Sequence, residues 1–164
     1  MGQSLASPNM KQLLLICAMV MGQPVLAQKP LTKEESAKVI EAAIRRAAKK
    51  PTGELTKADL EKVTKLVLED QRLLEVPKEV EKLTSLKELS LMKNRFYDVT
   101  SLEKFTQLEK LNLTGNQLTD VKGLEKLTDL RELFLRDNPS LTEAQIDQLQ
   151  KALPECLIYS DPTK

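Results

Sequence analysis

The chain has 164 residues, 41% apolar and 30% charged, with a formal net charge of +1 at pH 7. This composition is typical of one globular domain and excludes a disordered chain or a membrane protein. Histidine is absent and there are only two cysteines and five glycines, so the commonest general base and metal ligand are both missing. We therefore expect no enzyme activity and no cofactor.

The first 27 residues have the pattern of an export signal. Met10-Lys11 form a short basic region, an apolar run of about nine residues follows from Leu13 to Met21, and Pro24-Val25-Leu26-Ala27 supply the small residues of a cleavage site. The run is too short to span a bilayer, which takes about 20 residues. The pattern predicts a signal peptide over residues 1–27, cut after Ala27, and a secreted or periplasmic product. A buried N-terminal helix is the alternative, but no polar face accompanies the run.

Removal of residues 1–27 leaves 24 basic and 24 acidic residues, so the mature chain has no net charge. A neutral chain has no bulk attraction for nucleic acid or for an anionic membrane, and we expect neither as a partner. The mature chain keeps one cysteine, Cys156, which has no second cysteine to pair with and is expected in the core.

The sequence of residues 28–62 predicts two helices. Thr32-Lys-Glu-Glu35 forms a capping box, and Thr56-Lys-Ala-Asp59 starts a second, short helix. The first helix has an apolar stripe made of Val39, Ile40, Ala43, Ile44 and Ala47. A basic cluster lies opposite the stripe and is expected to be a solvated face, with binding to a membrane surface as the alternative: Arg45, Arg46, Lys49 and Lys50.

A leucine pattern then repeats three times with a period of 22 residues. The copies are Leu86-Lys-Glu-Leu89-Ser-Leu91-Met-Lys-Asn94, Leu108-Glu-Lys-Leu111-Asn-Leu113-Thr-Gly-Asn116 and Leu130-Arg-Glu-Leu133-Phe-Leu135-Arg-Asp-Asn138. A fourth copy from Val63 to Gln71 precedes them, and the half copy Leu153-Pro-Glu-Cys156-Leu-Ile158 follows. Alternation within each copy points the leucines inward from a strand and the residue between them outward. One copy cannot bury its apolar face alone, so neighbouring copies must stack.

The pattern resembles the leucine-rich repeat family, L-x-x-L-x-L-x-x-N, in its 22-residue bacterial, internalin-type form, over about residues 63–159. The resemblance implies an α/β fold: a short right-handed solenoid with parallel strands on its concave face and 3₁₀ or helical segments on its convex side. Apolar residues spaced by three, from Phe96 to Phe105 and from Leu118 to Leu127, suit a 3₁₀ backbone. Residues 28–62 are then the helical N-terminal cap. Residues 63–164 hold the repeats and a closing half-repeat, after a helix that starts at Thr142 and runs to about Ala152.

The resemblance also implies a partner-binding concave face made of outward strand residues. By register we expect one column of Val67, Ser90, Asn112, Phe134 and Leu157, and a second of Glu69, Met92, Thr114, Arg136 and Tyr159. An outward aromatic such as Phe134 is typical of a binding hot spot. The alternative is that the C-terminal cap covers Phe134 and Tyr159. The candidate partner-binding residues are Met92, Asn112, Thr114, Phe134, Arg136 and Tyr159.

The predicted function is non-catalytic binding of a protein or peptide by an exported monomer. The alternative is a scaffold protein of the cell envelope without a dedicated ligand. Sugar binding is disfavoured because the chain has no tryptophan to stack on a sugar ring. Asn94, Asn116 and Asn138 are expected to be structural, hydrogen bonding to backbone groups where each strand ends.

Overall fold

A computed structural model of the chain describes residues 31–161. The predicted signal peptide, residues 1–27, lies outside these described residues. The helices are α1 (Lys33–Ala47), α2 (Lys57–Leu60) and α3 (Glu143–Ala152). The strands are β1 (Lys65–Val67), β2 (Glu88–Ser90), β3 (Lys110–Asn112), β4 (Glu132–Phe134) and β5 (Leu157–Tyr159). Three 3₁₀ helices, η1 (Lys78–Lys82), η2 (Thr100–Lys104) and η3 (Leu124–Lys126), separate the first four strands.

The strands form one five-stranded parallel sheet in the order β1-β2-β3-β4-β5. Its register aligns the central residue of each strand, Leu66 with Leu89, Leu111, Leu133 and Ile158. The first four of these central residues are buried and their neighbours along the strand are less buried, as alternation predicts. The predicted α/β leucine-rich repeat solenoid is therefore confirmed.

Between strands, the chain returns through the three 3₁₀ helices, of which η2 and η3 lie where the three-residue apolar spacing predicted them. Val80, Leu102 and Leu124 on these helices are fully buried, with no exposed surface. Together with the strand leucines they form one continuous core through all repeats. Because full burial of such a side chain contributes roughly 1.5–3 kcal/mol, stacking the repeats supplies the stability that a single copy lacks.

The helices begin where the sequence predicted. Thr32, Thr56 and Thr142 each accept a hydrogen bond from the backbone of the residue three positions later, and each forms a complete capping box. Helix α1 contributes Ile40 and Ile44 to the core beside β1. Helix α3 takes the place of a fourth 3₁₀ helix and packs against η3. Within residues 31–161, no helix is long and apolar enough to cross a membrane.

The register of β5 differs from the sequence prediction. Tyr159 pairs with Phe134, and Leu157 pairs with Glu132, so the predicted columns for Leu157 and Tyr159 are wrong. Cys156 is the reason, because its N–H bonds to the carbonyl of Leu153 just as the N–H of Leu130 bonds to Leu127. Cys156 thus takes the first leucine position of the repeat, and Ile158 takes the second.

Candidate functional site

The outward side chains of the sheet form three columns, which we call the outer sheet face. The first column is Lys65, Glu88, Lys110, Glu132 and Leu157, and the middle column is Val67, Ser90, Asn112, Phe134 and Tyr159. The third column lies just past the strands, where backbone hydrogen bonds continue the same register: Glu69, Met92, Thr114 and Arg136. Asp161 follows Tyr159 by two residues and continues this column beyond β5, where its carboxylate accepts from the N–H of Asp137.

Most charges on the outer sheet face are neutralised by a neighbouring strand. The Nζ of Lys65 lies 2.7 Å from a carboxylate oxygen of Glu88, and Lys110 is paired in the same way with Glu132. The hydrogen bond that Lys110 donates to the carboxylate of Glu132 raises the pKa of Lys110, which favours its charged form. These pairs alternate in sign from strand to strand, so this part of the face offers little free charge to a partner.

An aromatic stack dominates the β4–β5 end of the face. The rings of Phe134 and Tyr159 lie parallel, with centroids 4.7 Å apart and planes inclined by 12°. The Nζ of Lys110 lies 5.1 Å from the centroid of the Phe134 ring, within the range of a cation–π contact. Lys110 belongs to β3 and Tyr159 to β5, so they flank Phe134 from its two neighbouring strands. Both aromatic residues are half-buried, because each ring covers part of the other. Helix α3 packs against η3.

Three hydrogen-bond donors lie beside the stack. The side-chain oxygen of Asn112 accepts a 3.0 Å hydrogen bond from the N–H of Thr114, which leaves the amide Nδ2 of Asn112 as a free donor. The hydroxyl of Thr114 and the guanidinium of Arg136 likewise have no hydrogen-bond partner within residues 31–161. The backbone oxygen of Arg136 accepts from the N–H of Gly115 and the amide of Asn138, which fixes the chain at this turn.

The structure brings together the candidate residues. Met92, Thr114 and Arg136 are neighbours in the third column, while Asn112, Phe134 and Tyr159 are neighbours in the middle column. The sequence pattern did not indicate Lys110 as a member of the surface, and it placed Leu157 in the middle column rather than the first. The side chain of Leu157 is 61% exposed, at a column position where the other four strands carry a charged residue. The alignment of Leu157 with these charged residues can be recognised in the sequence only when the register of β5 is known.

The asparagine ladder has the structural role that was predicted. The amide of Asn116 donates to the carbonyls of Leu91 and Leu113, and its oxygen accepts from the N–H of Phe96. Asn94 and Asn138 make the equivalent bonds in their own repeats. Each buried amide therefore joins two successive turns of the solenoid and satisfies backbone groups that the leucines cannot.

Two other features lie away from the outer sheet face. Cys156 is buried as predicted, and burial raises the pKa of its thiol to about 11, which keeps it neutral and unreactive at physiological pH. A cavity of about 360 Å³ lies between the η3 region and α3, lined by both apolar and charged residues. Residues 31–161 contain no cluster of three or more carboxylate, cysteine or histidine side chains placed to hold a metal ion.

Comparison with known proteins identifies the repeats. The family model described as "Leucine rich repeat" matches residues 61–118, and the model described as "Leucine Rich repeats (2 copies)" matches residues 106–151. A comparison with curated protein sequences finds no match.

Solved structures of leucine-rich repeat proteins from bacteria are similar to this chain. An internalin (inlF) of Listeria monocytogenes is 26% identical with a TM-score of 0.60, and the alignment covers 82% of this chain and 39% of the internalin. Internalin C2 of the same organism gives 23% identity and a TM-score of 0.65, over 77% of this chain and 55% of that one. A leucine-rich repeat protein of Leptospira interrogans gives 29% identity and a TM-score of 0.54, over 65% and 28%.

The chain thus spans between about a quarter and about half of the length of these relatives. The two family models together cover residues 61–151, which is more than half of the chain and includes all four copies of the leucine pattern. The chain belongs to the leucine-rich repeat family, with repeats of the bacterial, internalin-like type.

Proposed function

We propose that this chain is a non-catalytic recognition module that binds a protein or peptide through its outer sheet face. The observation that carries the proposal is the stack of Phe134 on Tyr159, held at the β4–β5 end of that face with free hydrogen-bond donors beside it. Stacked aromatic rings next to an arginine are typical of binding hot spots. The stack also costs little further entropy on binding, because its rings are already placed by each other and by Lys110.

Export from the cytoplasm is part of the proposal. It is supported by the basic residue, apolar run and small-residue cleavage pattern of residues 10–27. After cleavage behind Ala27, the module would act in the periplasm or outside the cell as a monomer.

One observation favours a scaffold role as the second candidate. Ion pairs link successive repeats on several sides: Lys87 with Glu109, Lys104 with Glu81, and Lys126 with Glu103. Surface charges that pair with one another between repeats can stabilise the stack of repeats without binding a ligand. The half-buried aromatic stack on the outer sheet face is the feature that a scaffold role leaves unexplained.

Affinity capture separates the two candidates. The full chain and the double variant Phe134→Ala/Arg136→Ala are each used to capture proteins from an envelope extract of the source organism, read by mass spectrometry. The matched control is Tyr97→Ala/Lys122→Ala, which removes an exposed aromatic and an exposed cation lying away from the outer sheet face.

Recognition by the outer sheet face predicts captured proteins that bind the wild-type chain and the control but not the Phe134/Arg136 variant. If the same proteins are captured by all three chains, or by none, the scaffold candidate is favoured. Circular dichroism of each variant confirms that it is folded before capture.

A further inference from the structure

We infer that the outer sheet face recognises a peptide segment of its partner that carries an Asp or Glu side chain next to a bulky apolar residue. This inference rests on the proposed function and specifies the chemistry of the partner. It follows from which polar atoms on the face are already satisfied within the chain and which are not.

The charges of the face leave one side chain unpaired. Lys65 and Lys110 are paired with glutamates of the next strand, and the carboxylate of Glu69 accepts a 2.6 Å hydrogen bond from the hydroxyl of Ser90. In the third column, the carboxylate of Asp161 accepts from the N–H of Asp137. Among the described residues of the face, the guanidinium of Arg136 alone is a charged group with neither an ion pair nor a hydrogen bond.

Arg136 and two of its neighbours on the outer sheet face offer free hydrogen-bond donors. Thr114 is the neighbour of Arg136 in the third column, and Asn112 precedes Thr114 by two residues on the same face. Because the oxygen of Asn112 is engaged by the N–H of Thr114, its amide presents only N–H groups to a partner. A hydroxyl, an amide N–H₂ and a guanidinium together match a group that only accepts hydrogen bonds. A carboxylate is such a group, and arginine binds it with two parallel hydrogen bonds.

The surroundings of the donors are apolar on the β5 side. Phe134 and Tyr159 are half-buried, so a bulky apolar side chain placed beside the carboxylate would lie over their rings. Leu157, which is 61% exposed, extends this apolar surface one column further. Asp137 and Asp161 lie close by in sequence and register and lower the local positive charge. Recognition must therefore depend on the direct contact with Arg136 rather than on long-range attraction.

Selection from a display library of random linear peptides tests this inference with the full chain as bait. The enriched peptides should carry Asp or Glu adjacent to an aromatic or large aliphatic residue. Replacing that acid by its amide in a synthetic peptide should weaken binding at least about tenfold, as should Arg136→Gln in the protein, since a hydrogen-bonded charge contributes that much or more. Lys122→Gln removes the same charge from an exposed position away from the sheet and should leave the affinity unchanged.

Phe134→Ala distinguishes failure of the inference from failure of the proposed function. If Phe134→Ala abolishes binding but the acid and Arg136 prove dispensable, the face binds peptides and the carboxylate inference is overturned. If binding survives Phe134→Ala, the proposed function falls and the inference falls with it. If no peptide is enriched, the inference is overturned, and the capture of proteins from the envelope extract decides the proposed function. Phe134→Leu, which keeps an apolar side chain but removes the ring, replaces Phe134→Ala if the alanine variant does not fold.

Discussion

The amide of Asn116 donates a 3.1 Å hydrogen bond to the carbonyl of Leu91, which lies in the preceding repeat, and a 2.8 Å bond to Leu113 in its own. One buried side chain thus connects two turns of the solenoid. Its oxygen also accepts from the N–H of Phe96 at 3.1 Å. The same arrangement recurs at Asn94 and Asn138, so the buried asparagines link the repeats whose leucines form the core.

Replacing Asn116 by alanine should destabilise the protein strongly. The change leaves the buried N–H of Phe96 without a partner, and the carbonyls of Leu91 and Leu113 each keep only one of their two amide donors. One unsatisfied buried group costs about 1–3 kcal/mol and a lost hydrogen bond about 1 kcal/mol, so we expect a loss of about 2–4 kcal/mol in total. Urea unfolding followed by circular dichroism measures the free energy of unfolding. Asn112→Ala, which removes an outward amide four residues earlier, is the control and should cost less than about 1 kcal/mol. Equal losses for the two variants would contradict the structural role of the ladder.

The stack of Phe134 on Tyr159 should appear as an energetic coupling. In a double-mutant cycle of Phe134→Ala and Tyr159→Ala, we expect a coupling free energy of about 0.5–1.5 kcal/mol, the value of a stacked pair beyond its buried area. The same cycle between Val67 and Tyr159, which lie on opposite edge strands, provides the control. A coupling no larger than that of the control would mean that the rings do not support one another.

Stability should fall in acid partly through Asp59. The Nζ of Lys50 lies 2.6 Å from its carboxylate and Thr56 donates two further hydrogen bonds, which together hold the pKa of Asp59 well below its usual 3.8. A group whose pKa is lowered by folding stabilises the protein above its unfolded-state pKa and loses that contribution as the pH falls toward its folded-state pKa.

The difference in unfolding free energy between the wild type and Asp59→Asn should therefore be constant above about pH 5 and shrink below about pH 4. Urea unfolding at a series of pH values measures it. Glu54→Gln, at an exposed position in the preceding turn, removes a carboxylate outside this cluster and should show a much smaller difference at every pH. A constant effect of Asp59→Asn down to the acid limit would rule out this assignment.

Cleavage of the signal should leave Gln28 as the first residue. The full chain is expressed in a bacterium with an active secretory pathway, and the N-terminus of the exported product is determined by mass spectrometry. Replacing Ala27 by a bulky, charged residue such as glutamate should block cleavage, because the enzyme requires a small residue before the cut. A wild-type product that keeps Met1 or Met10 would disprove the signal peptide.

The repeat architecture is evident in the sequence itself. Three in-phase copies fix which residue of each strand points inward, because leucines that recur every 22 residues must align when the copies stack. Capping boxes are equally local, since Thr32 and Glu35 lie one helical turn apart and form their bonds in any context that lets the helix start. The position of Phe134 on the outer sheet face was predictable for the same reason, and so were Asn112, Thr114 and Arg136.

Tertiary structure alone decided the β5 end of the face. The closing half-repeat follows a helix instead of a 3₁₀ segment, so the period no longer applies, and three apolar residues in a row offer more than one register. Pairing with β4 places Ile158 against Leu133, and this puts Tyr159 on Phe134 rather than beside Arg136. The cation–π contact of Lys110 also depends on a neighbouring strand. Repetition within one chain determines what every copy shares, whereas contacts between unlike copies exist only once the strands are paired.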